Sequence, residues 1–451
     1  MHSTESRDAT ASPQLPSSAL GVGARAWSTL AVAAAIYSFN IADRFVFPAL
    51  LQPIEVEFSL SDTGGGSLNL ALVLMLMLFG IPSGMLADRF SRRHLLGACA
   101  TLFSAMTLLG GLSNSLLAFV ATRMGMGLGE AGCTPASLTL IANRFPVARR
   151  GVAMTIFTLG VFAGAYLGTV LAGALSDHYG WRTTMLAFGL AGLQLGALAM
   201  FLIRESLRGG MDPATMRAEA TDAGLLATLN YIRRDKALLF VILGGAAICT
   251  WGWGLLRWAP ALLMRTYGLT GGQVGAVLGK LHLVGGVTAT LFTVFLMYWL
   301  SRMAARLQLW VIASLIACAA MASIVACRAT DLSVLVLCLW LSVPVLCLNT
   351  GPTFSLINNM APPSIRAKTI SIFLIATTFG SLIQVPMVIG FLSDIFVSGG
   401  VSSGEGLRVA MRTFSPLGLV AAAAYIVAGI FAGSRTAIVT PSLKQSSHHH
   451  V

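Results

Sequence analysis

The chain has 451 residues, of which 56% are hydrophobic and only 10% are charged, and its formal net charge is +12. Long apolar stretches recur along most of it, so the composition excludes an ordinary soluble domain. A basic balance is also found in nucleic-acid-binding proteins, but here the basic residues cluster between apolar stretches, which argues against that class.

About twelve apolar stretches each approach the ~20 residues that a helix needs to cross a hydrocarbon core. The polar segments around them predict a disordered tail at 1–23, a charged linker at 204–236 and a second tail at 435–451. The predicted spans are 26–51, 66–87, 95–113, 116–142, 151–175, 183–203, 237–264, 271–300, 307–327, 332–359, 369–396 and 412–433.

The basic residues predict how these helices are oriented. With the N-terminus inside the cell, twenty of the 29 Lys and Arg residues fall in cytoplasmic segments and five in outer segments. Cytoplasmic loops of membrane proteins carry such an excess of positive charge. The sequence therefore predicts that both tails and the linker are cytoplasmic.

The second half of the chain repeats short patterns of the first half in the same order. Pro48-Ala49-Leu50-Leu51 returns as Pro260-Ala261-Leu262-Leu263, and Leu175-Ser176-Asp177 returns as Leu392-Ser393-Asp394. Because each half holds an even number of predicted helices, both halves have the same orientation. The predicted fold is an all-α integral membrane protein with two pseudo-symmetric six-helix bundles, at 24–203 and 237–434.

Charged side chains inside the predicted spans are the main functional signal. Each would cost at least about 2.5 kcal/mol if it faced lipid, so we expect them to face a cavity or one another. Their positive excess favours an anionic ligand. They are Asp43, Arg44, Arg123, Glu130, Arg257 and Lys280.

The two acids are candidates for proton coupling. Asp43 or Glu130 can bind and release a proton if burial and a neighbouring arginine act on it in opposite directions. A permanent structural ion pair is the alternative for each. The candidate substrate-binding residues are Arg123, Glu130, Arg44, Arg257, Lys280 and Trp253.

Two aromatic features of the C-terminal half have ordinary structural explanations beside the functional ones. Trp251, Trp253 and Trp258 can line a wide apolar cavity, or form an interfacial belt or core packing. His282 can carry a proton, although a lone histidine in a helix is usually packed or hydrogen-bonded.

A cytoplasmic gate is predicted between the second and third spans, where Gly84–Leu96 reads GMLADRFSRRHLL. A carboxylate at Asp88 can meet the positive N-terminus of a facing helix, and arginines beside it can bridge to acids or carbonyl groups. Ser301 replaces this aspartate in the second half, so the two halves are not equivalent here. The candidate gate residues are Gly84, Asp88, Arg89, Arg92, Arg93 and Arg144.

Motifs of soluble enzymes are absent from the sequence. Gly279-Lys280 imitates the end of a phosphate-binding loop, but it lacks the first glycine and the Ser or Thr of that motif and lies in an apolar stretch. We therefore predict no catalytic residue, no cofactor and no metal. Without an ATP site, uphill transport would depend on an ion gradient.

GMLADRFSRRHLL resembles the signature loop of the major facilitator superfamily, with Ser91 where that pattern has glycine. FNIADRF, which holds Asp43 and Arg44, and the R-x-x-x-G-x-G-E-A core with Arg123, Glu130 and Ala131 resemble the spinster family in its bacterial branch. The resemblance implies a carrier of lysophospholipid or sphingosine phosphate that works by alternating access. It also implies that Arg123 engages substrate or an acid, and that Glu130 and Asp43 form a coupling network with Arg44.

The sequence thus predicts a monomeric, proton-coupled secondary transporter of an amphipathic anion in a bacterial inner membrane, with the bilayer, protons and the substrate as partners and no nucleic acid. A small organic-acid symporter is the alternative within transport. A lysolipid carrier should have a cavity that opens laterally toward the bilayer and is apolar on one side, whereas an acid carrier should have a closed polar pocket. A non-transporting membrane sensor is the other class, and such a protein typically has a larger soluble domain than these tails provide.

Overall fold

The structure is a computed structural model that describes residues 24–203, 224–300, 302–362 and 365–445, and the regular elements in these ranges are all helices. The all-α fold predicted from composition is therefore confirmed. The first half contains five helices: α1 (Ala24–Glu57), α2 (Asp62–Arg89), α3 (Arg92–Leu112), α4 (Leu116–Arg144) and α5 (Val147–Leu202).

The second half begins with a short helix from the predicted linker and continues through nine more. Two π-helical segments, Leu281–Gly285 and Phe379–Gln384, join α8 to α9 and α12 to α13. The helices are α6 (Leu225–Arg234), α7 (Lys236–Tyr267), α8 (Gly271–Lys280), α9 (Gly286–Leu300), α10 (Ala305–Ala326), α11 (Leu332–Met360), α12 (Arg366–Thr378), α13 (Val385–Ser398), α14 (Ser403–Phe414) and α15 (Leu417–Gln445).

The helices account for the predicted number of spans when α4 is added to those that are apolar enough to cross a membrane and α5 is counted as two spans. Ten helical stretches among the described residues are long and apolar enough to cross a membrane. One of them, in α5, holds two predicted spans separated at Gly180, whose φ of 80° is accessible mainly to glycine. α4, which carries Arg123 and Glu130, falls outside the ten because it is less apolar.

Helix starts are fixed by side chains that cap the free backbone N–H groups of the first turn. Ser115 accepts a hydrogen bond from the N–H of Ala118 at the start of α4, and Asp235 caps α7 through Leu238. Thr270 and Gln273 form a reciprocal capping box at α8. α7 ends at Gly268, which has left-handed backbone angles.

The two bundles meet along two helix pairs, α5 with α8 and α2 with α13. A Cβ atom added at Gly173 would lie 2.1 Å from the carbonyl oxygen of Gly271, and one at Gly66 would lie 2.4 Å from that of Pro386. Glycine therefore allows the backbones of the two halves to touch directly. This contact brings α1, α5, α7 and α8 around the centre of the molecule.

The proposed domain boundaries lie partly outside the described residues. The predicted tail 1–23 and residues 204–223 of the linker are among the undescribed ones, as is Ser301. The described end of the linker forms α6, and α15 continues to Gln445, past the predicted end of the bundle at 434.

Candidate functional site

A cavity with about 830 Å³ of empty space lies between the two bundles, walled by α1 and α5 on one side and by α7 and α8 on the other. Most of its lining is apolar or aromatic, but Arg44 and Arg257 enter it from opposite bundles. The other lining residues are Tyr37, Ile41, Phe45, Pro48, Val161, Thr169, Trp253, Leu256, Pro260, Leu278 and His282.

Arg44 connects this cavity to Glu130 on α4. Its Nε donates a hydrogen bond to Glu130 Oε2 at 2.7 Å, and the glutamate side chain is fully buried. The other oxygen of Glu130, Oε1, has no hydrogen-bond partner among the described residues. If that arginine moved away, the charged carboxylate would remain buried without a partner, which is energetically costly.

Asp43 precedes Arg44 in α1 but points into the N-terminal bundle rather than into the cavity. It is buried and accepts a hydrogen bond of 2.7 Å from Thr107 Oγ1 on α3. It is close enough to Glu130, Arg123 and Arg44 to interact with them electrostatically. Among the described residues, Asp43 therefore lies near all three of these charged side chains but makes no direct ion pair with any of them.

Arg123 is 1% exposed and lies deeper in the N-terminal bundle than Arg44. Its Nη2 donates to Asn69 Oδ1 at 3.2 Å, and its guanidinium lies 4.2 Å from the centre of the Phe47 ring. Arg123 also lines a smaller cavity, of about 250 Å³, together with Arg44 and Arg257. Three of the predicted arginines therefore converge, and the described residues that line the two cavities include no acid.

The structure corrects the prediction for Lys280. Its side chain is exposed on α8 and is not among those that line the central cavity. Leu278 and His282 are four residues apart and so share the helix face that lines the cavity, whereas Lys280 lies between them and projects elsewhere. The presence of a charge within a span could not tell which way this side chain faces.

The three tryptophans of α7 differ in position: one lines the central cavity and two are packed in the interior. Trp253 lines the central cavity, whereas Trp251 and Trp258 are almost fully buried. Trp251 also lines an apolar pocket of about 540 Å³ within the C-terminal bundle, formed by α7, α10 and α11 with Met411 of α14. Leu256 borders both this pocket and the central cavity, so an apolar space adjoins the charged one.

The predicted outer end of the molecule is closed by Arg265, near the end of α7. Its Nη2 lies 2.6 Å from Glu55 and its Nη1 lies 2.7 Å from Asp62, while its Nε donates to Gln52. The arginine side chain is only 8% exposed. This cluster joins the C-terminal bundle to the ends of α1 and α2.

Two further carboxylates at this end bind the helix N-termini of the opposite bundle. Asp177 accepts hydrogen bonds from the backbone N–H groups of Gly271 at 2.8 Å and Gly272 at 2.7 Å, at the start of α8. Asp394 accepts from the N–H groups of Asp62 and Thr63, both at 2.9 Å, at the start of α2. A negative charge is favourable at such a terminus because the N–H groups and the helix dipole point toward it.

At the predicted inner end, the structure describes only part of the candidate gate. Arg92 begins α3, Arg93 Nη2 lies 3.0 Å from His94 Nε2, and Arg144 lies in the last turn of α4. The environment of Gly84, the side chains of Asp88 and Arg89, and Ser301 are outside what the structure describes. The cytoplasmic gate therefore stays a prediction.

Sequence reasoning missed several residues of the site because they carry no charge. Asn69, Thr107 and Phe47 contact the charged residues, and an asparagine inside an apolar span was the one signal that could have been followed. The outer contacts of Asp177 and Asp394 were missed although the Leu-Ser-Asp repeat had marked both positions. An acid at a helix end is common, so its partner could not be inferred from sequence alone.

Comparison with known proteins gives three kinds of similarity. Residues 33–385 match the family model described as Major Facilitator Superfamily. An MFS-type efflux pump of Mycolicibacterium smegmatis is 30% identical over 400 residues, which cover 88% of this chain and 91% of that protein. The sphingosine-1-phosphate transporter SPNS2 of Danio rerio is 28% identical over 243 residues, which cover 52% of this chain and 48% of that protein, so this match spans about half of its length.

A solved structure supports the fold. The crystal structure of a bacterial homolog of the human lysosomal transporter spinster, in an inward-facing and unoccupied conformation, has a TM-score of 0.80 with 23% sequence identity. The likeness covers 91% of this chain and 98% of that one. At this identity the similarity concerns the arrangement of helices.

Proposed function

This chain belongs to the major facilitator superfamily and is spinster-like, and we propose that it is a proton-coupled secondary transporter of an amphipathic anion. It would act in the bacterial inner membrane as a monomer with both termini in the cytoplasm. The observation that carries the proposal is the convergence of Arg44, Arg123 and Arg257 on adjoining cavities between the bundles, with Glu130 as the ion-pair partner of Arg44.

The charges of the site support an anionic substrate. Three guanidinium groups against the two carboxyl groups of Glu130 and Asp43 leave an excess of positive charge in a space that protein screens from water. Arginine binds phosphate or carboxylate oxygens through two parallel N–H groups, which gives both affinity and orientation. Arg44 and Arg257 are the two that line the larger cavity, so they would contact the headgroup first.

The apolar pocket beside the cavity supports an amphipathic substrate over a small organic acid. The pocket meets the central cavity at Leu256 and is lined almost entirely by apolar side chains. Each methylene group buried there would add about 0.8 kcal/mol to binding. A small organic acid would make no use of this apolar lining, whereas the tail of an amphipathic anion would pack against it.

Proton coupling would follow from competition for Arg44. When the substrate anion pairs with Arg44, Glu130 loses its ion-pair partner and takes up one proton, because a buried carboxylate without a partner is unfavourable in its charged form. When the substrate leaves, Arg44 returns to Glu130 and the proton is released. Asp43, held by Thr107 nearby, would be the second acid of this network.

Alternating access would require the outer contacts to break while the inner gate forms. Arg265, Asp177 and Asp394 hold the bundles together at the predicted outer end. Opening this end would free the three side chains, and the candidate gate of Gly84, Asp88, Arg89, Arg92, Arg93 and Arg144 would then close the other end. The two bundles would rock about the central cavity.

Uptake into sealed proteoliposomes tests the proposal. A lysophospholipid and a small organic acid would be compared, with and without a pH gradient. We expect gradient-driven flux of the lysophospholipid. In Glu130→Gln the pH dependence should disappear while binding of the substrate persists, because the amide cannot exchange a proton but fills the same space.

Exposed Lys280 provides the matched control, since Lys280→Gln changes a charge in the same membrane region outside the cavity. Gradient-driven flux that is unchanged in both Glu130→Gln and Asp43→Asn would remove the coupling role of these acids. Preferential flux of the small acid would favour the organic-acid symporter, and the absence of any flux would favour a sensor.

A further inference from the structure

His282 lies on the π-helical segment Leu281–Gly285 and is 6% exposed, yet neither of its ring nitrogens makes a hydrogen bond of good geometry among the described residues, although the backbone of Leu278, one turn earlier, lies close to the ring. A buried polar group left without a partner costs about 1–3 kcal/mol. Buried polar groups are almost always paired, so an unpaired one requires a specific reason. Packing alone does not supply that reason for this histidine.

The surroundings of the ring show where its nitrogens could find a partner. His282 lines the 830 Å³ central cavity and a second, adjoining cavity of about 340 Å³. Its one ring contact is with Phe45, whose ring centre is 4.8 Å away at an interplanar angle of 70°. This edge contact packs against the imidazole ring, and the ring nitrogens remain available to a group in the cavity.

The π-helical turn is a second observation that points to function. Such a turn inserts one residue into an α-helix and frequently occurs at functional sites. Here it coincides with the residue whose nitrogens are unpaired. α8 is also held tightly against α5, where a Cβ atom at Gly275 would lie 2.8 Å from the carbonyl oxygen of Thr169.

The charged and titratable groups around His282 favour an oxyanion as its partner. Arg44 and Tyr37 of α1 and Arg257 of α7 line the same cavity, and Glu130 of α4 lies behind Arg44. α5 contributes the uncharged Val161 and Thr169 to this lining. A neutral imidazole has one N–H donor and an imidazolium has two, so His282 can donate to an anion in either form.

We propose that His282 is a substrate-recognition residue that donates a hydrogen bond to a phosphate or carboxylate headgroup held by Arg44 and Arg257. The proposal rests on the anion site proposed above and adds a contact from the π-helical segment that follows α8 in the C-terminal bundle. With Arg44 on α1, it would place the two bundles on opposite sides of one headgroup. Substrate would thereby tie the bundles together across the cavity.

Ligand binding to the purified full-length protein tests this role with three probes that share an oleoyl chain. They are lysophosphatidate with a phosphate monoester, oleate with a carboxylate, and monooleoylglycerol with no charge. We expect His282→Phe to weaken binding of the two anions about tenfold, the loss expected for one hydrogen bond to a charged group. Binding of monooleoylglycerol should be unchanged, because this lipid carries no anionic group for the imidazole to bind.

His282→Gln is the rescue variant, since its amide retains an N–H donor, and it should keep anion affinity within about threefold of the wild type. If His282→Phe fails to fold, the comparison of His282→Gln with His282→Leu replaces it. Competition by inorganic phosphate that weakens in His282→Phe would assign the contact to the phosphate group itself, whereas an effect seen only with the lipids would assign it to the lipid headgroup.

The outcomes separate this proposal from the one it rests on. An equal loss for all three lipids, or no loss for either anion, would overturn the role of His282. Anion binding that falls in Arg257→Ala but not in His282→Phe would do the same and leave the anion site intact. A wild-type protein that binds neither anion would instead overturn the proposed function.

Discussion

The two bundles are alike at the predicted outer end and differ at the centre. At the outer end, Asp177 and Asp394 occupy equivalent places in the Leu-Ser-Asp repeat, and each binds the first N–H groups of a helix in the other bundle. At the centre, the N-terminal bundle supplies Asp43 and Glu130, whereas the C-terminal bundle supplies the apolar pocket. Symmetry is thus kept where the halves close on each other and lost where a ligand would lie.

Arg265 shows that even the closed end is not fully symmetric. The repeat that relates Pro48 to Pro260 places Pro53 opposite Arg265, so the N-terminal bundle has no corresponding arginine. Arg265 contacts two acids at once and is nearly buried. The buried Arg265 and the two equivalent aspartates therefore hold the outer end closed through different interactions. Substitutions at each of them can separate these contributions.

The largest effect is expected from Arg265→Ala. Removing one partner of a buried ion pair typically costs about 3–5 kcal/mol, because the remaining charges stay buried without compensation. Here Glu55 and Asp62 would be left. We expect thermal unfolding of the purified protein at a clearly lower temperature than the wild type.

Neutralising those two acids is the control for this prediction. Glu55→Gln and Asp62→Asn in the Arg265→Ala background should restore much of the lost stability. Arg408→Ala is the more exposed comparison, since Arg408 pairs with the half-exposed Glu405 and also donates to the carbonyl of Ala329, and its ion pair should contribute no more than about 1 kcal/mol. Equal effects of Arg265→Ala and Arg408→Ala would contradict the importance of the buried cluster.

A smaller effect is expected from Asp177→Asn and Asp394→Asn. A charge at a helix N-terminus contributes about 0.3–1 kcal/mol, and up to about 2 kcal/mol when partly buried. Both acids bind two N–H groups, and Asp394 also accepts a hydrogen bond from the Thr63 hydroxyl, so each single variant should favour opening of the outer end and Asp394→Asn should have the somewhat larger effect. Accessibility of the central cavity to a water-soluble thiol reagent, measured at a cysteine introduced at Thr169, would report this opening.

The double variant distinguishes independent contacts from a coupled pair. Effects that add would mean that each aspartate acts on its own helix. A large effect of Asp394→Asn with none from Asp177→Asn would break the comparison, since it would mean that only the α2–α13 contact holds the end closed.

The fold was predictable because membrane spans leave strong signals in sequence. Length, hydropathy and basic loops predicted the helices, and the need to shield charge from lipid predicted that the six charged side chains within the spans face a cavity or one another. The sequence could not predict which way each side chain faces or which group it binds. The unpaired state of His282 and the backbone partners of Asp177 and Asp394 depend on how the halves pack, which a local pattern does not encode.

Lys280 gives the smallest expected effect and the sharpest test of that distinction. By sequence it is equivalent to Arg257, since both are basic residues inside an apolar span of the C-terminal half. In the structure Arg257 enters the central cavity and Lys280 does not. We therefore expect Arg257→Gln to weaken anion binding at least tenfold, as the loss of a hydrogen-bonded charge would, and Lys280→Gln to change it less than about twofold. Binding of lysophosphatidate to the two purified variants measures the difference. Equal losses of affinity in the two variants would mean that the total charge of the region attracts the anion, whichever way each side chain points.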